Sequence, residues 1–249
     1  MSGHSHWATI RRSKEANDAK RGRNWSKLAR RIIVAAKVGG GNPEENLSLR
    51  YAIDDARAGN MPKDTIKKAV MKGTGELESE SYEEVIYEGY GAGGVAFLVE
   101  CLTDNRNRTA PEMRKLFEKA GGQLGSTNCV AWMFEKKGTF VVSAEAADED
   151  TLMEIALEAG ADDVELDGEV FEIVCQPNAF SAVKQALAGR NIETIAGEVA
   201  MVPANTVPVE GDQAKQVLRH IEALEDHDDV QHVYANFDMP DEVMAEAEV

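Results

Sequence analysis

The chain has 249 residues, a net charge of −17 and 29% charged side chains. A chain of that length forms about two domains, or three small ones, with room for packed cores. The acidic total excludes a general DNA-coating protein, which needs positive charge over most of its surface. The charge is also divided along the chain. Residues 1–75 hold sixteen Lys/Arg against seven Asp/Glu, net +9, while residues 76–249 hold eleven against thirty-seven, net −26. A polyanionic partner is therefore expected on the N-terminal face and on little else.

Cys101, Cys129 and Cys175 are odd in number, form no C-x-x-C pair and sit in or beside apolar runs. Buried reduced thiols and a reducing, cytoplasmic setting are the expectation. No apolar stretch of signal-peptide length follows the basic start, and IIVAA (residues 32–36) is too short to cross a membrane. The Arg-rich start runs straight into a patterned helix, so it reads as part of the mature fold.

Between residues 11 and 31 the chain carries Arg11, Arg12, Lys14, Lys20, Arg21, Arg23, Lys27, Arg30 and Arg31, opposed only by Glu15 and Asp18. Trp25, Leu28, Ala29, Ile32 and Ala36 recur at helical spacing, and Arg23, Lys27, Arg30 and Lys37 fall on the opposite side with Val34 among them. This predicts a helix with one side in a small core and its basic side in water. Residues 13–24 are almost without apolar side chains and include Gly22, a composition that stays mobile until a polyanion orders it. Gly39–Asn42 and Pro43 end the helix; no Gly-Lys-Ser/Thr follows, so this is not a phosphate-cradling loop. A second helix is predicted from Asn46 to Ala58, with Leu49, Ala52, Ile53 and Ala56 inward. A third opens at Pro62, turns Ile66, Ala69 and Val70 inward and Lys63, Lys67, Lys68 and Lys72 outward, and stops at Gly73. Acidic, Ser-rich residues 75–81 read as a linker.

Val85–Tyr87 and Val95–Val99 then read as strands joined by a Gly-rich turn. Asp104–Arg108 reads as a loop leading into a helix whose capping box is Thr109 with Glu112. Met113, Leu116, Phe117 and Ala120 point inward, Gly121-Gly122 ends the helix, and a strand is expected through Val130 to Phe134. From Gly138 onward the order is strand (139–143), helix (148–159), strands (164–166 and 170–175), helix (178–188) and strand (192–202). That βαββαβ series is a ferredoxin-like unit, complete by Pro203. The remaining helix (212–224) and strand (230–237) cannot bury their own faces, so they are expected to return and complete the set of residues 82–135. The expected class is α+β: a three-helix domain (1–78), a discontinuous α/β domain (79–135 plus 204–249), and a third domain (136–203) inserted in the second. Residues 156–165 and 223–231 echo one another as helix, acidic turn and strand.

The candidate nucleic-acid-binding residues are Arg11, Arg12, Lys14, Lys20, Arg21, Arg23, Lys27, Arg30, Arg31 and Lys37. A second candidate is the loop Asp104, Asn105, Arg106, Asn107, Arg108 and Thr109, where two arginines precede a helix N-terminus. A phosphate, a carboxylate or an RNA backbone fits there. Equally, the Asp and Asn residues build a turn and the arginines are surface charges. Hydrolase and transferase motifs are missing: there is no G-x-S-x-G, no H-E-x-x-H and no Cys–His arrangement beside a capped helix. Of the histidines, His227 lies among Glu225, Asp226, Asp228 and Asp229, which reads as a solvated acidic helix end before it reads as a metal site. No catalytic residue, metal or cofactor is expected, and Tyr82, Tyr87 and Tyr90 read as core packing.

The strings GHSHW (3–7), DAKRG (18–22), AAKVGGG (35–41), NMP (60–62), IYEGYG (86–91), DNRNRT (104–109) and DDVQ (228–231) together resemble the YebC/PmpR family. That family includes mitochondrial translational activators of cytochrome oxidase subunit synthesis. The resemblance runs essentially end to end, with His6 where many members have Lys. It implies a three-domain, non-enzymatic cytoplasmic protein with a helical first domain and two ferredoxin-like domains around a cleft. It also implies a DNA-binding transcriptional regulator, or a factor acting in translation at the ribosome, for instance on consecutive prolines. The residues themselves offer three readings. One is sequence-directed DNA binding, although the basic helix shows no Asn or Gln set for base reading. Another is docking of the same face on rRNA. The third and weakest is an enzyme using Arg106 and Arg108 on a phosphorylated substrate.

Overall fold

The computed structural model describes residues 21–78 and 80–239, with the side chains of residues 21–24 outside the description. Three helices come first: α1 (Arg21–Gly39), α2 (Leu47–Ala58) and α3 (Lys63–Gly73). Helix α1 already includes Gly22, inside the stretch expected to order only on a polyanion. The helices bury Ile32, Ile33, Ala36, Leu49, Ile53, Ala56 and Ile66 against one another. Asn46 caps α2 by accepting from the Leu49 N–H at 3.1 Å, while its amide donates to the carbonyls of Ala35 and Gly40, both at 2.8 Å. One side chain thus ties the α1–α2 corner together. Helix α3 ends at Gly73, as expected, and this glycine also lets it close on α1. A Cβ there would lie 2.5 Å from the Ile33 carbonyl oxygen.

The chain then forms a hairpin of β1 (Glu83–Tyr90) and β2 (Ala96–Thr103), helix α4 (Arg106–Lys119) and the short strand β3 (Gln123–Leu124). Strand β4 (Phe134–Ser143) leads into helix α5 (Glu149–Glu158), strands β5 (Ala161–Asp167) and β6 (Val170–Cys175), helix α6 (Phe180–Gly189) and strand β7 (Thr194–Pro203). Strand β8 (Val207–Pro208), helix α7 (Gly211–Glu225), strand β9 (Val230–Ala235) and strand β10 (Phe237–Asp238) complete the described chain.

The fold is α+β, as the sequence predicts. Two four-stranded sheets have the orders β3-β1-β2-β9 and β5-β6-β4-β7, every neighbouring pair antiparallel, and β8 pairs with β10 in a separate parallel ribbon. In β7-β4-β6-β5 the series βαββαβ gives the ferredoxin-like order directly. In β9-β2-β1-β3 the layout is the same, but the inner strand β1 enters ahead of β2 and the edge strand β9 arrives after the whole third domain. Each sheet carries two helices over an apolar layer: Phe97, Phe117, Val217, Ile221 and Leu224 in the second domain, Phe140, Leu152, Ile173, Phe180 and Leu187 in the third.

Two local expectations are corrected. No strand runs from Val130 to Phe134; residues 131–133 form a 3-10 turn, and pairing begins at Phe134 opposite Pro203. The cause is Glu88, 4% exposed, whose carboxylate accepts from the N–H groups of Asn128 (2.7 Å), Val130 (2.9 Å) and Ala131 (2.7 Å). Those donors are no longer available to a ladder. The second correction concerns α4. It starts at Arg106 behind an Asn105 N-cap, whose side chain accepts from the Arg108 N–H at 3.2 Å, so Thr109 and Glu112 form no capping box.

Candidate nucleic-acid interface

The apolar side of α1 enters the helical core as expected, but its other side does not stay in water. The Lys27 ammonium donates to the Glu225 carbonyl at 2.6 Å. Arg30 donates to the Asp228 carbonyl at 2.6 Å, pairs with the Asp229 carboxylate at 3.0 Å and lies over the Tyr82 ring at 5.4 Å. Both cations therefore dock on the turn between α7 and β9. Burial pulls the Lys27 amine below its ordinary value, against the attraction of Glu225, Asp228 and Asp226. Val34, the apolar residue on this side, is buried as well. Charge drives the correction: a basic helix side beside a strongly acidic body finds carboxylates and carbonyls before it finds solvent.

The other candidates divide. Arg31 pairs with Asp55 of α2 at 2.9 Å, and Lys37 donates to the Ser81 hydroxyl at 2.8 Å. Arg21 and Arg23 lie on the first turn of α1, their side chains outside the description, and Arg11, Arg12, Lys14 and Lys20 lie outside the described residues. Lys63, Lys67, Lys68 and Lys72 on α3 are exposed along its outer side, with Asp64 the one acidic residue in that helix. Among the described residues this is where cations face solvent in a row.

The loop Asp104–Thr109 does hold an anion, and the anion is the protein's own. Arg108 pairs with Asp104 at 2.9 Å and with Asp229 at 2.8 Å. Thr109, fully buried, donates to Asp229 at 2.8 Å and shares a 2.7 Å hydrogen bond with Thr103. Arg106 reaches Glu83 at 3.7 Å, Asn105 forms the cap, and Asn107 is exposed on the first turn of α4. Asp229 is 1% exposed and takes Arg30 on one oxygen and Arg108 with Thr109 on the other. Burial alone would raise its carboxyl, but hydrogen bonds from Arg108 and Thr109 and the Arg108 charge outweigh burial, and the group sits below its ordinary value. His227, expected on a solvated acidic end, instead contacts Glu112 through Nε2 at 2.9 Å and accepts from the Asp229 N–H through Nδ1 at 3.1 Å.

Asp229 is the residue that the sequence reading missed. Its signal was present as two separate strings, DNRNRT and DDVQ, which the fold brings into one ion-pair network. A further junction escaped notice entirely. Glu100 on β2 and Glu198 on β7 are both pushed up by burial, and burial pushes Tyr234 on β9 well above its ordinary value. Arg31 acts on all three, which places this polar cluster where the three domains meet.

Fold and site together define a class: a three-domain α+β protein whose basic helical domain is clasped by the acidic turn of an α/β body. Residues 5–76 match the family model described as the TACO1/YebC protein N-terminal domain, and residues 82–237 match the TACO1/YebC second and third domain. A "Probable transcriptional regulatory protein" of Dictyoglomus turgidum is 54% identical over 245 residues, covering 98% of each chain. Another so named, from Desulfatibacillum aliphaticivorans, is 55% identical over 246 residues, 99% of this chain and 100% of that one. A crystal structure of a conserved hypothetical protein from Aquifex aeolicus superposes with a TM-score of 0.81 at 46% identity, over 91% of this chain and 94% of that one. The chain belongs to the TACO1/YebC family.

Proposed function

We propose that this protein is a non-enzymatic, nucleic-acid-binding regulator of gene expression that docks through its N-terminal domain. The observation that carries the proposal is the unequal charge: net +9 over residues 1–75 against −26 over the rest, with the α3 lysines facing solvent. Phosphate backbone is attracted to the first domain and repelled by the other two. The names of the relatives favour promoter DNA as the target. A specific feature favours RNA as a second reading. The outward positions of α3 are lysines beside Asp64, with no Asn or Gln to read base edges, so the helix suits backbone contact in a shaped RNA pocket better than direct base readout. An enzyme reading has less support, because Arg108 is occupied by Asp104 and Asp229. No helix among the described residues is long and apolar enough to cross a membrane.

The test compares promoter-length duplex DNA with rRNA fragments, by crosslinking and sequencing from cells and by titration in vitro. Replacing Lys63, Lys67 and Lys68 by Ala should weaken binding about equally across sequences. It should also flatten the plot of log K against log salt by roughly 2–3 in slope. Binding to any nucleic acid with an unchanged salt slope in that variant removes α3 from the account.

A further inference from the structure

We propose that the turn from Glu225 to Asp229 is an internal competitor for nucleic acid. It occupies Lys27 and Arg30 of α1, so that phosphate binding and release of the first domain from the second form one competing equilibrium. The proposal rests on the functional reading above and extends it to regulation. Three observations carry it.

First, the contacts are those that a phosphodiester would make. Arg30 is held by a carbonyl at 2.6 Å and a carboxylate at 3.0 Å, and Lys27 by a carbonyl at 2.6 Å. A phosphate offers acceptor oxygens in place of the two carbonyls and the negative charge that Asp229 supplies. Second, the turn is braced from behind. The second Asp229 oxygen is held by Arg108 and Thr109, both at 2.8 Å, and the Asp229 carbonyl accepts from the Leu102 N–H at 2.8 Å. Opening therefore moves α1 away from a fixed turn and leaves the turn in place. Third, the apolar clusters of the two domains have no buried residue in common, and Tyr82 is the partly buried side chain that follows the linker into the first. Polar and ionic contacts carry the clasp between α1 and the turn, and a competing anion can take over the same two cations. A ligand shifts such an equilibrium only by its preference for one state, and here the preference is direct, since ligand and turn need the same side chains.

The experiment uses the full chain with dyes on cysteines placed at exposed Glu45 and Glu118, Cys129 being replaced by Ser; Cys101 and Cys175 are buried. A 30-nucleotide oligouridylate and a 30-base-pair duplex DNA serve as probes. Whichever binds should lower energy transfer in the otherwise unaltered protein. Asp229→Asn should show the lowered transfer without ligand and bind the probe about tenfold more tightly, inside the roughly 5- to 150-fold span of coupled sites. Arg30→Gln should also show lowered transfer without ligand, but with no gain in affinity, because it removes a cation. Tight binding with unchanged transfer and equal affinity of Asp229→Asn overturns the competition and leaves the functional reading intact. If neither probe binds any of the proteins, both fall together. Should Asp229→Asn fail to fold, the transfer change on ligand addition and the Arg30→Gln measurement decide.

Discussion

The second and third domains share a strand layout and an apolar layer beneath two helices, and differ in the polar groups buried beside it. The third is folded from one uninterrupted segment, contains no histidine between residues 134 and 203, and packs its sheet on Phe, Leu, Ile and Val. The second is assembled from two segments and buries Asp229, Glu88 and His220 at 1%, 4% and 1% exposure. His220 lies between Phe97 and Phe117, with ring centroids at 4.5 and 4.7 Å, and neither ring nitrogen has a hydrogen-bond partner among the described residues. The same architecture can therefore serve as a plain scaffold or as a polar junction. The polar version is the one that grips the basic helix. Buried charge of this kind contributes specificity of arrangement more than stability, so the second domain should be the more fragile of the two.

The sharpest way to break that contrast is Asp229→Ala. Arg108, Thr109 and Arg30 lose their shared acceptor, and the expected loss is about 3–5 kcal/mol. Hydrogen exchange should rise in β2, α4 and β9 while β4–β7 keep their protection; a uniform rise in both domains would contradict the contrast.

Acid is the next lever. Burial lowers His220 to about 4 and His232 to about 3, so both stay neutral in the folded second domain while the unfolded chain takes up protons near its ordinary value of 6.5. The unfolded state then binds more protons between those values. Stability is complete above pH 6.5 and falls as pH drops towards 4, by at most about 3 kcal/mol for His220. His220→Leu, a swap into an apolar surround, should be nearly neutral at pH 7 and should remove that share of the acid loss. Denaturation midpoints of both proteins from pH 7 to pH 4 measure it, and parallel curves would clear His220 of any part.

Glu88→Ala is smaller. Three N–H groups lose their acceptor, at a cost of about 1–3 kcal/mol, and exchange should quicken at residues 128–131 before anywhere in the third domain. The smallest effect belongs to the contact between the first and third domains, where Tyr51 meets Ser181 at 2.7 Å and sets its ring edge-on to Phe180 at 5.6 Å. Tyr51→Phe keeps the ring and loses the hydrogen bond, so about 0.5–1.5 kcal/mol is expected from thermal unfolding. A larger loss would mean that the third domain also depends on a polar junction.

Much of this was legible from the residues. Periodicity located the helices and the inserted βαββαβ unit, because apolar spacing is set by local geometry that any fold must respect. The basic run and the DNRNRT loop were found as well, the loop with two readings open: an anion site, or a turn with surface arginines. What failed was the identity of the anion and the exposure of Lys27 and Arg30. The acidic turn at 225–229 was read as a solvated helix end, since nothing local separates a carboxylate in water from one meeting an arginine about two hundred residues away. The capping box at Thr109 failed for a related reason. Thr109 donates to Asp229, and Asn105 two residues after β2 took over the cap.

The sequence by itself determined the helices, most strands, the charge division and the return of the last helix and strand to the second domain. Each of these follows from residues near one another in the chain or from an apolar face that has to be covered. Only the tertiary structure decided which charges face water and which face one another. The Coulomb energy of a pair depends on separation and burial, and neither quantity is written in the order of the residues.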